Sequence, residues 1–212
     1  AFLFDLNGTM IDDMDYHVRS WHRILNSLGA GITKEQTKAE CYGKNHELIE
    51  RILPGRFSGA EKDRMSVEKE KQYQEEYRPS LTLLPGLMEF LMEAKKNNIK
   101  MAIGSAAIMF NIDFVLDGLD IRHFFDVIVS ADDVTRSKPD PETYLKCASQ
   151  LGVTPADCLV FEDVPKGVEC AERAGMRCVV VNTSHDEIEF GHHENIVRFV
   201  KDFTQLTPAD VL

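Results

Sequence analysis

The sequence lacks any apolar run long enough to form a membrane-spanning helix. A helix needs about 20 consecutive apolar residues to cross a bilayer, and no run in these 212 residues approaches that length. The first residues have the pattern of a β-strand, not of a charged segment followed by a long apolar one, so we expect no signal peptide. We therefore expect a cytoplasmic protein that does not bind membranes.

The sequence lacks a cysteine pattern that fits a disulfide framework. The five cysteines are odd in number and scattered, and no two of them form a C-x-x-C pair. Disulfide frameworks are typical of small secreted chains with an even set of cysteines. We therefore expect reduced thiols with a structural role.

Basic residues are in the minority. The chain has 24 Lys and Arg against 35 Asp and Glu, which gives a net charge of −11. This balance argues against binding to nucleic acid or to an anionic membrane surface. It is compatible with an anionic small molecule, because a local basic pocket or a bound cation can reverse the field.

The sequence does contain an alternation of strand and helix patterns. Short apolar runs at residues 1–4, 101–103, 127–129, 159–161 and 178–181 predict five strands, and helical patterns lie between the later ones. Such alternation indicates an α/β fold with a doubly wound parallel sheet, covered by helices on both faces. Hydrophobic residues make up 43% of the chain, which is enough for the core that this fold requires.

The first two predicted strands are separated by roughly ninety residues, far more than an ordinary crossover needs. This insertion is helical in pattern. Val18, Trp21 and Leu25 recur at helical spacing, and capping boxes that start at Thr33 and Ser58 predict further helices.

Two domains follow from this organisation. We expect an α/β core of residues 1–12 and 82–212, and an inserted helical cap domain of residues 13–81. The heavily charged segment 61–77 is expected to have a wide solvated face, and we assign its charges no function. A cap inserted directly after the first strand is placed to close over the end of that strand and exclude water.

The first strand is followed directly by Asp5, in the sequence DLNGT. In α/β sheets, ligands bind at the carboxyl ends of the strands. A carboxylate at that position can act as a nucleophile, as a metal ligand or as both. The alternative is an Asp that only caps a turn, which is common at strand ends.

Three further positions at or after strand ends carry chemistry. Ser105 ends the second predicted strand, where a hydroxyl can bond a phosphate oxygen and the following helix offers N–H groups. Lys138 precedes a helix start in the sequence SKPDP and can neutralise an anion. Glu162 and Asp163 follow a buried apolar strand, where two acids are costly unless they bind a cation or a base. Their oxygen atoms suit Mg²⁺.

These four sites, in this order, resemble the motifs of the haloacid dehalogenase (HAD) superfamily, and the resemblance covers essentially the whole chain. It implies a Rossmann-like core and an Mg²⁺-dependent phosphotransferase that works through an aspartyl-phosphate. In such an enzyme Asp5 attacks phosphorus, Ser105 and Lys138 bind the phosphoryl group, and the metal is held by Asp5, the carbonyl of Asn7, Glu162 and Asp163.

Residues 13–21 (DMDYHVRSW), 138–141 (KPDP) and 161–168 (FEDVPKGV) are similar to the β-phosphoglucomutase subgroup of that superfamily. The resemblance places His17 beside the catalytic position and Trp21 at the hinge or sugar pocket. Helix packing is the simpler interpretation of Trp21, which lies on an apolar stripe. Where the mutase has a cap Arg that binds a distal phosphate, this chain has His46 with Lys44 nearby. The loss of the guanidinium fork argues against bisphosphate binding.

One residue departs from the motif: its second Asp, the general acid and base of the family, is Asn7 here. An amide keeps the carbonyl that binds the metal but cannot transfer a proton. General acid–base catalysis is typically worth ~10²–10⁴-fold, so we expect hydrolysis and mutase turnover to be weakened by that order.

Several explanations of Asn7 stay open at this point. His17 can replace the proton relay, or the substrate can carry a good leaving group, such as an acyl phosphate. The protein can bind a phosphorylated ligand without turnover, or the Asn can be an engineered substitution that traps substrate. A further alternative is slow deamidation of the Asn7-Gly8 pair to a carboxylate.

We therefore expect an Mg²⁺-dependent phosphatase or phosphomutase that acts as a monomer on a small phosphorylated metabolite, a sugar phosphate by resemblance. A catalytically impaired phospholigand-binding protein is the first rival. Carbon–halogen hydrolysis is the second, and retention of Lys138, Glu162 and Asp163 speaks against it.

Overall fold

The computed structural model describes all of residues 1–212, and the chain forms two compact units. One contains Ala1–Asp12 and Thr82–Leu212, hereafter the α/β unit, and the other contains Asp13–Leu81, hereafter the helical unit. The chain has eight α-helices: α1 Met14–Ser27, α2 Lys34–Glu40, α3 Asn45–Ile52, α4 Gly59–Tyr77, α5 Leu87–Lys96, α6 Met109–Gly118, α7 Glu142–Leu151 and α8 Pro165–Arg173. None of them is long and apolar enough to cross a membrane.

The α/β unit is built on a six-stranded parallel sheet. Its strands are β1 Phe2–Phe4, β2 Met101–Gly104, β3 Val127–Val129, β4 Leu159–Glu162, β5 Arg177–Val181 and β6 Ile196–Val200, in the order β3-β2-β1-β4-β5-β6. All neighbouring strands pair in parallel, which confirms the predicted fold class. The strand order reverses between β1 and β4, and ligands of such sheets bind beyond the carboxyl ends of the strands at that point.

Alternating side chains of the central strands give the sheet two apolar faces. Phe2 and Phe4 of β1 pack on one face, where the Phe4 and Phe161 rings stack with centroids 4.6 Å apart and Phe90 of α5 covers them. Leu3 points to the other face and joins the core formed with α7 and α8. Because both faces are covered, the central strands have continuous apolar sequences.

One strand was not among the five that the sequence predicts. β6 lies at the edge of the sheet beside β5, and its residues are only partly buried or exposed. Arg198 interrupts its short apolar run. An edge strand of this kind lacks the continuous apolar pattern by which the central strands are recognised.

The helical unit consists of α1 to α4. Its apolar core contains Trp21 and Leu25 of α1 together with Leu48, Ile49 and Leu53 from the region of α3. The two capping boxes predicted from the sequence are present, at the start of α2 and at the start of α4.

The charged helix α4 differs from the expectation of a simple solvated surface. Lys69 and Glu70 are each only 2% exposed, and they lie on the buried face of the helix with Ser66, Tyr73 and Tyr77. These positions recur at helical spacing. Two charges of this segment are therefore internal groups that need partners.

Candidate active site

Asp5 lies one residue beyond the end of β1, next to the point where the strand order reverses. Its backbone N–H still donates to the carbonyl of Phe161 on the neighbouring strand, at 3.0 Å. The chain then turns away: the N–H of Met10 donates to the carbonyl of Leu6 at 2.9 Å, and Gly8 adopts a φ of +81°. The Asp5 side chain is thus left, 7% exposed, at the carboxyl edge of the sheet.

The structure brings Asp5 together with Lys138 and Glu162. The Lys138 ammonium donates to Asp5 Oδ1 and to Glu162 Oε1, each at 2.6 Å. It also donates to the hydroxyl of Tyr144 at 2.9 Å, and that hydroxyl donates to Glu162 Oε1 at 2.6 Å. One cation therefore links two buried carboxylates that come from different strand ends.

Asp163 completes an acidic cluster around this cation. Carboxylate oxygens of Asp5, Glu162 and Asp163 all lie within 4.8 Å of one another. Oδ1 of Asp163 accepts a hydrogen bond from the Thr9 hydroxyl at 3.0 Å, while Oδ2 is buried without a hydrogen-bond partner. A buried oxygen left in this way costs free energy, and three converging carboxylates are suitable ligands for a divalent cation such as Mg²⁺. The residues present fit such an ion.

The titration of these groups reflects their burial. Burial raises the pKa of Asp5 to about 7, against the opposing effect of Lys138 and with a further increase from Glu162. Burial also raises the pKa of Asp163 well above its ordinary value, and the Glu162 and Asp5 carboxylates add to this effect. For Lys138, burial lowers the pKa, but the Asp5 and Glu162 carboxylates more than compensate and hold it above its ordinary value. A bound divalent cation would relieve the crowding of negative charge.

Two glycines make room for the acids. A Cβ atom at Gly8 would lie 2.0 Å from Oδ2 of Asp163, and a Cβ atom at Gly167 would lie 1.9 Å from the Glu162 carboxyl carbon. Both distances are shorter than any real contact of that kind, so a side chain at either position would displace an acid of the cluster.

Ser105 and Asn7 lie on the same edge of the sheet. Ser105 directly follows β2, the strand next to β1, and its hydroxyl accepts a hydrogen bond from the N–H of Ala107 at 3.1 Å. Asn7 lies in the turn after Asp5, is half-buried, and forms an isolated bridge with Ile11. Among the site residues predicted in the α/β unit, Asp5, Lys138 and Glu162 are joined by direct hydrogen bonds.

In the helical unit, His17 is part of a buried polar cluster. Its Nε2 lies 3.1 Å from Asp13 Oδ2, its Nδ1 contacts the Lys69 ammonium, and its ring stacks on Tyr73. An ammonium group can only donate, so Nδ1 accepts from Lys69 and the ring proton is placed on Nε2, facing Asp13. The Tyr73 hydroxyl donates to the same Asp13 oxygen at 2.5 Å. Both nitrogens of His17 therefore have partners within this unit.

The other predicted residues of the helical unit have different environments. Trp21 is 2% exposed and packs in the core of the unit, as its place on the apolar stripe predicts. His46 Nε2 lies 2.8 Å from Asp63 Oδ1, and both side chains are partly exposed. Lys44 is half-buried just before α3, and its backbone N–H donates to Glu47 at 3.1 Å.

Several contacts of this region were not expected from the sequence. Thr9 belongs to the DLNGT motif but was assigned no contact, although a hydroxyl four residues after Asp5 is a detectable signal. Tyr144 and Tyr73 have the pattern of ordinary helix-packing residues, and nothing in the sequence marks their hydroxyls. Lys69 could have been found from its place on the buried face of α4, where Ser66 and Tyr73 also lie.

Comparison with known proteins agrees with this geometry. The family model described as haloacid dehalogenase-like hydrolase matches residues 2–181. β-Phosphoglucomutase of Bacillus subtilis is 32% identical over 189 residues, which cover 85% of this chain and 82% of that protein. Hexitol phosphatase B of Escherichia coli is 29% identical over 223 residues, covering 100% and 96%.

A solved structure gives the same result. The crystal structure of β-phosphoglucomutase from Clostridium difficile superposes with a TM-score of 0.86 at 30% identity, and covers 100% of this chain and 94% of that one. The chain therefore belongs to the haloacid dehalogenase-like hydrolase family, as an enzyme of the phosphatase and phosphomutase type in the group similar to β-phosphoglucomutase.

Proposed function

We propose that this protein is an Mg²⁺-dependent phosphohydrolase or phosphotransferase that acts on a sugar phosphate through an aspartyl-phosphate at Asp5. One observation carries the proposal: Asp5 lies beyond β1 at the reversal of strand order, bonded to Lys138 and within the cluster of Glu162 and Asp163. The names of the relatives, a phosphoglucomutase and a hexitol phosphatase, support a sugar phosphate as substrate.

In the first step, a carboxylate oxygen of Asp5 attacks phosphorus, a P–O bond to Asp5 forms, and the bond to the leaving oxygen breaks. Lys138 and the Ser105 hydroxyl bind the phosphoryl oxygens, and Lys138 also favours the ionised form of Asp5 that attacks. In the second step, water or an acceptor hydroxyl takes the phosphoryl group and Asp5 is released. The burial of Asp5 and Lys138 makes their electrostatic interactions stronger than they would be in water.

The metal has a defined set of ligands in this proposal. Asp5, Glu162, Asp163 and the backbone carbonyl of Asn7 would hold Mg²⁺. When bound, the ion neutralises charge on the transferring phosphoryl group. The orphaned Oδ2 of Asp163 supports this assignment, because coordination would satisfy it.

Asn7 limits the rate. The leaving oxygen needs a proton in the first step, and the attacking water loses one in the second. The amide of Asn7 can neither donate the first proton nor accept the second. A substrate with a good leaving group needs the least help. His17 is our candidate for a substitute relay, and it must first release Asp13 or Lys69, since both of its nitrogens are engaged.

We assign substrate selection to the helical unit, as a cap domain of residues 13–81. Lys44 and His46 are the proposed contacts with substrate, and Trp21 supports them through packing. The pairing of His46 with Asp63 favours an uncharged group there over a phosphate.

A second function is favoured by Asn7 itself: a protein that binds a phosphorylated ligand but turns it over poorly. The same site geometry serves both functions. They differ in whether phosphate is released after binding.

The test is Mg²⁺-dependent release of phosphate from a panel of sugar phosphates and acyl phosphates, with Asp5→Asn in parallel. We expect release that a chelator stops and that Asp5→Asn abolishes, together with an acid-stable mass increase on the Asp5 peptide in the original chain only. Binding by calorimetry without release from any ester would favour the second function. Full activity in Asp5→Asn would remove Asp5 from the mechanism.

A further inference from the structure

We propose that the α/β unit accepts a single phosphate group and selects against a second anion, because the segment that follows Ser105 is apolar and the Asp132 carboxylate lies at the Met109 N–H near the end of that segment. The proposal rests on the proposed function, in which Ser105 and Lys138 bind the transferred phosphate. It adds a substrate class, a monophosphate ester whose remaining part is uncharged, and a specificity residue, Asp132.

The supply of positive charge on the loops that follow β1 to β5 limits the site to one phosphate. Lys138 is the basic residue that contacts the acidic cluster. Arg136 and Lys166 are the other Lys or Arg residues of these loops and helix starts, and both are exposed. Arg136 Nη1 lies 3.1 Å from Asp140 Oδ2, and Lys166 Nζ lies 2.9 Å from Glu169 Oε2. Each of these two cations is thus already paired with an acid.

The segment next to Ser105 is apolar. Residues 106–110 are Ala-Ala-Ile-Met-Phe, and no charged side chain occurs between Ser105 and Asp113. Four of the five residues are half-buried, and Phe110 is 44% exposed. A second anion placed against this segment would therefore lose water without gaining a charged partner from it.

The amino end of α6 could attract an anion, but a carboxylate of the protein already lies there. The Met109 N–H donates to Asp132 Oδ2 at 2.9 Å. The loop that carries Asp132 is fixed to the segment by a hydrogen bond from Ala131 N–H to the Ala107 carbonyl, at 2.8 Å. The free N–H groups and dipole of a helix start favour negative charge, but here Asp132 supplies that charge and repels another.

These features discriminate between otherwise similar substrates. A sugar monophosphate presents its dianion to Ser105 and Lys138 and its uncharged hydroxyl or carbon groups to residues 106–110. A bisphosphate of the same sugar brings a second dianion toward Asp132. Only the second ligand is penalised by the Asp132 charge.

The experiment measures the ratio of affinities for fructose 6-phosphate and fructose 1,6-bisphosphate. Binding is determined by calorimetry with Mg²⁺ at low salt on the Asp5→Asn protein, so that turnover does not intervene, and phosphate release is measured separately on the original chain. Asp132→Asn keeps an acceptor for the Met109 N–H but removes the charge. Asp117→Asn removes the same charge at the other end of α6 and is the matched control.

We expect the bisphosphate to bind about fivefold more weakly than the monophosphate, and Asp132→Asn to narrow that ratio by about threefold. Asp117→Asn should leave the ratio of the two affinities unchanged. Equal affinities for the two ligands, a tighter bisphosphate, or a ratio that Asp132→Asn does not move would overturn the inference. If the ratio behaves as expected but no phosphate is released, the proposed function fails and the inference about Asp132 stands. Failure of the monophosphate to bind contradicts both.

Discussion

Gly8 leaves the space that the carboxylate of Asp163 occupies. A Cβ atom at position 8 would lie 2.0 Å from Asp163 Oδ2, and the φ of Gly8 is +81°, a value that other residues rarely adopt. The sharp turn after Asp5 and the close approach of Asp163 thus depend on the same glycine. This turn places the acids of two different strands close enough to share a cation.

Gly8→Ala should therefore damage the metal site as well as the fold. Gly29→Ala is the matched control, since Gly29 has a φ of +83° and nothing within 4 Å of the added Cβ. We expect both variants to lose about 1 kcal/mol of unfolding free energy from backbone strain, measured by urea denaturation. Only Gly8→Ala should also weaken Mg²⁺ binding by about tenfold or more, measured by titration calorimetry. Equal Mg²⁺ affinities in the two variants would contradict this account of Gly8.

Metal binding and pH should act together on stability. The ordinary pKa of Asp5, 3.8, is raised to about 7 by burial, in spite of the neighbouring Lys138. The folded chain then binds this proton more tightly than the unfolded chain, so protonation of Asp5 stabilises the fold at low pH. That contribution is complete below the unfolded value and is lost as pH rises through about 7.

Mg²⁺ competes with this proton for the same oxygens, so its stabilising effect should be larger in alkaline solution. We expect Mg²⁺ to raise the Tm more at about pH 8 than at about pH 5. A monovalent salt at equal ionic strength serves as control, and it should give the same small change at both pH values. A Mg²⁺ effect that is equal at both pH values would show that the Asp5 cluster does not hold the ion.

His17 is tested as the substitute proton relay by combining substitutions. His17→Ala should reduce kcat more in the original chain, where Asn7 cannot transfer a proton, than in Asn7→Asp, where a carboxylate can. We expect His17→Ala to lower kcat about tenfold in the original chain and about twofold in Asn7→Asp. Equal losses in the two backgrounds would assign His17 a structural role with Asp13 and Lys69 instead.

Much of the α/β unit is predictable because its central strands are buried on both faces. Burial imposes continuous apolar runs, and the polar residue that ends each run must lie at the carboxyl edge of a parallel sheet. Asp5, Ser105, Glu162 and Asp163 were found in this way. The edge strand β6 escaped the prediction because a strand with little burial has no such pattern.

The polar interior of the helical unit was harder to predict. A run of charged residues on a helix is normally solvated, and the same composition is compatible with a face that buries Lys69 and Glu70. Their burial depends on partners distant in sequence, such as His17 and Asn45, which only the packing of α1, α3 and α4 brings together. Likewise, the contact of Asp132 with the start of α6 depends on how two loops meet.

The most direct test compares this chain with Asn7→Asp in Mg²⁺-dependent phosphate release from sugar phosphates. Intact masses must be verified first, because deamidation of Asn7 would restore a carboxylate at that position. The account predicts that Asn7→Asp is faster by ~10²-fold or more on at least one sugar phosphate, and that this gain disappears when Asp5 is also changed to Asn. If the original chain is as fast as Asn7→Asp, or faster, Asn7 is not the limiting group and the proposed role of position 7 is wrong.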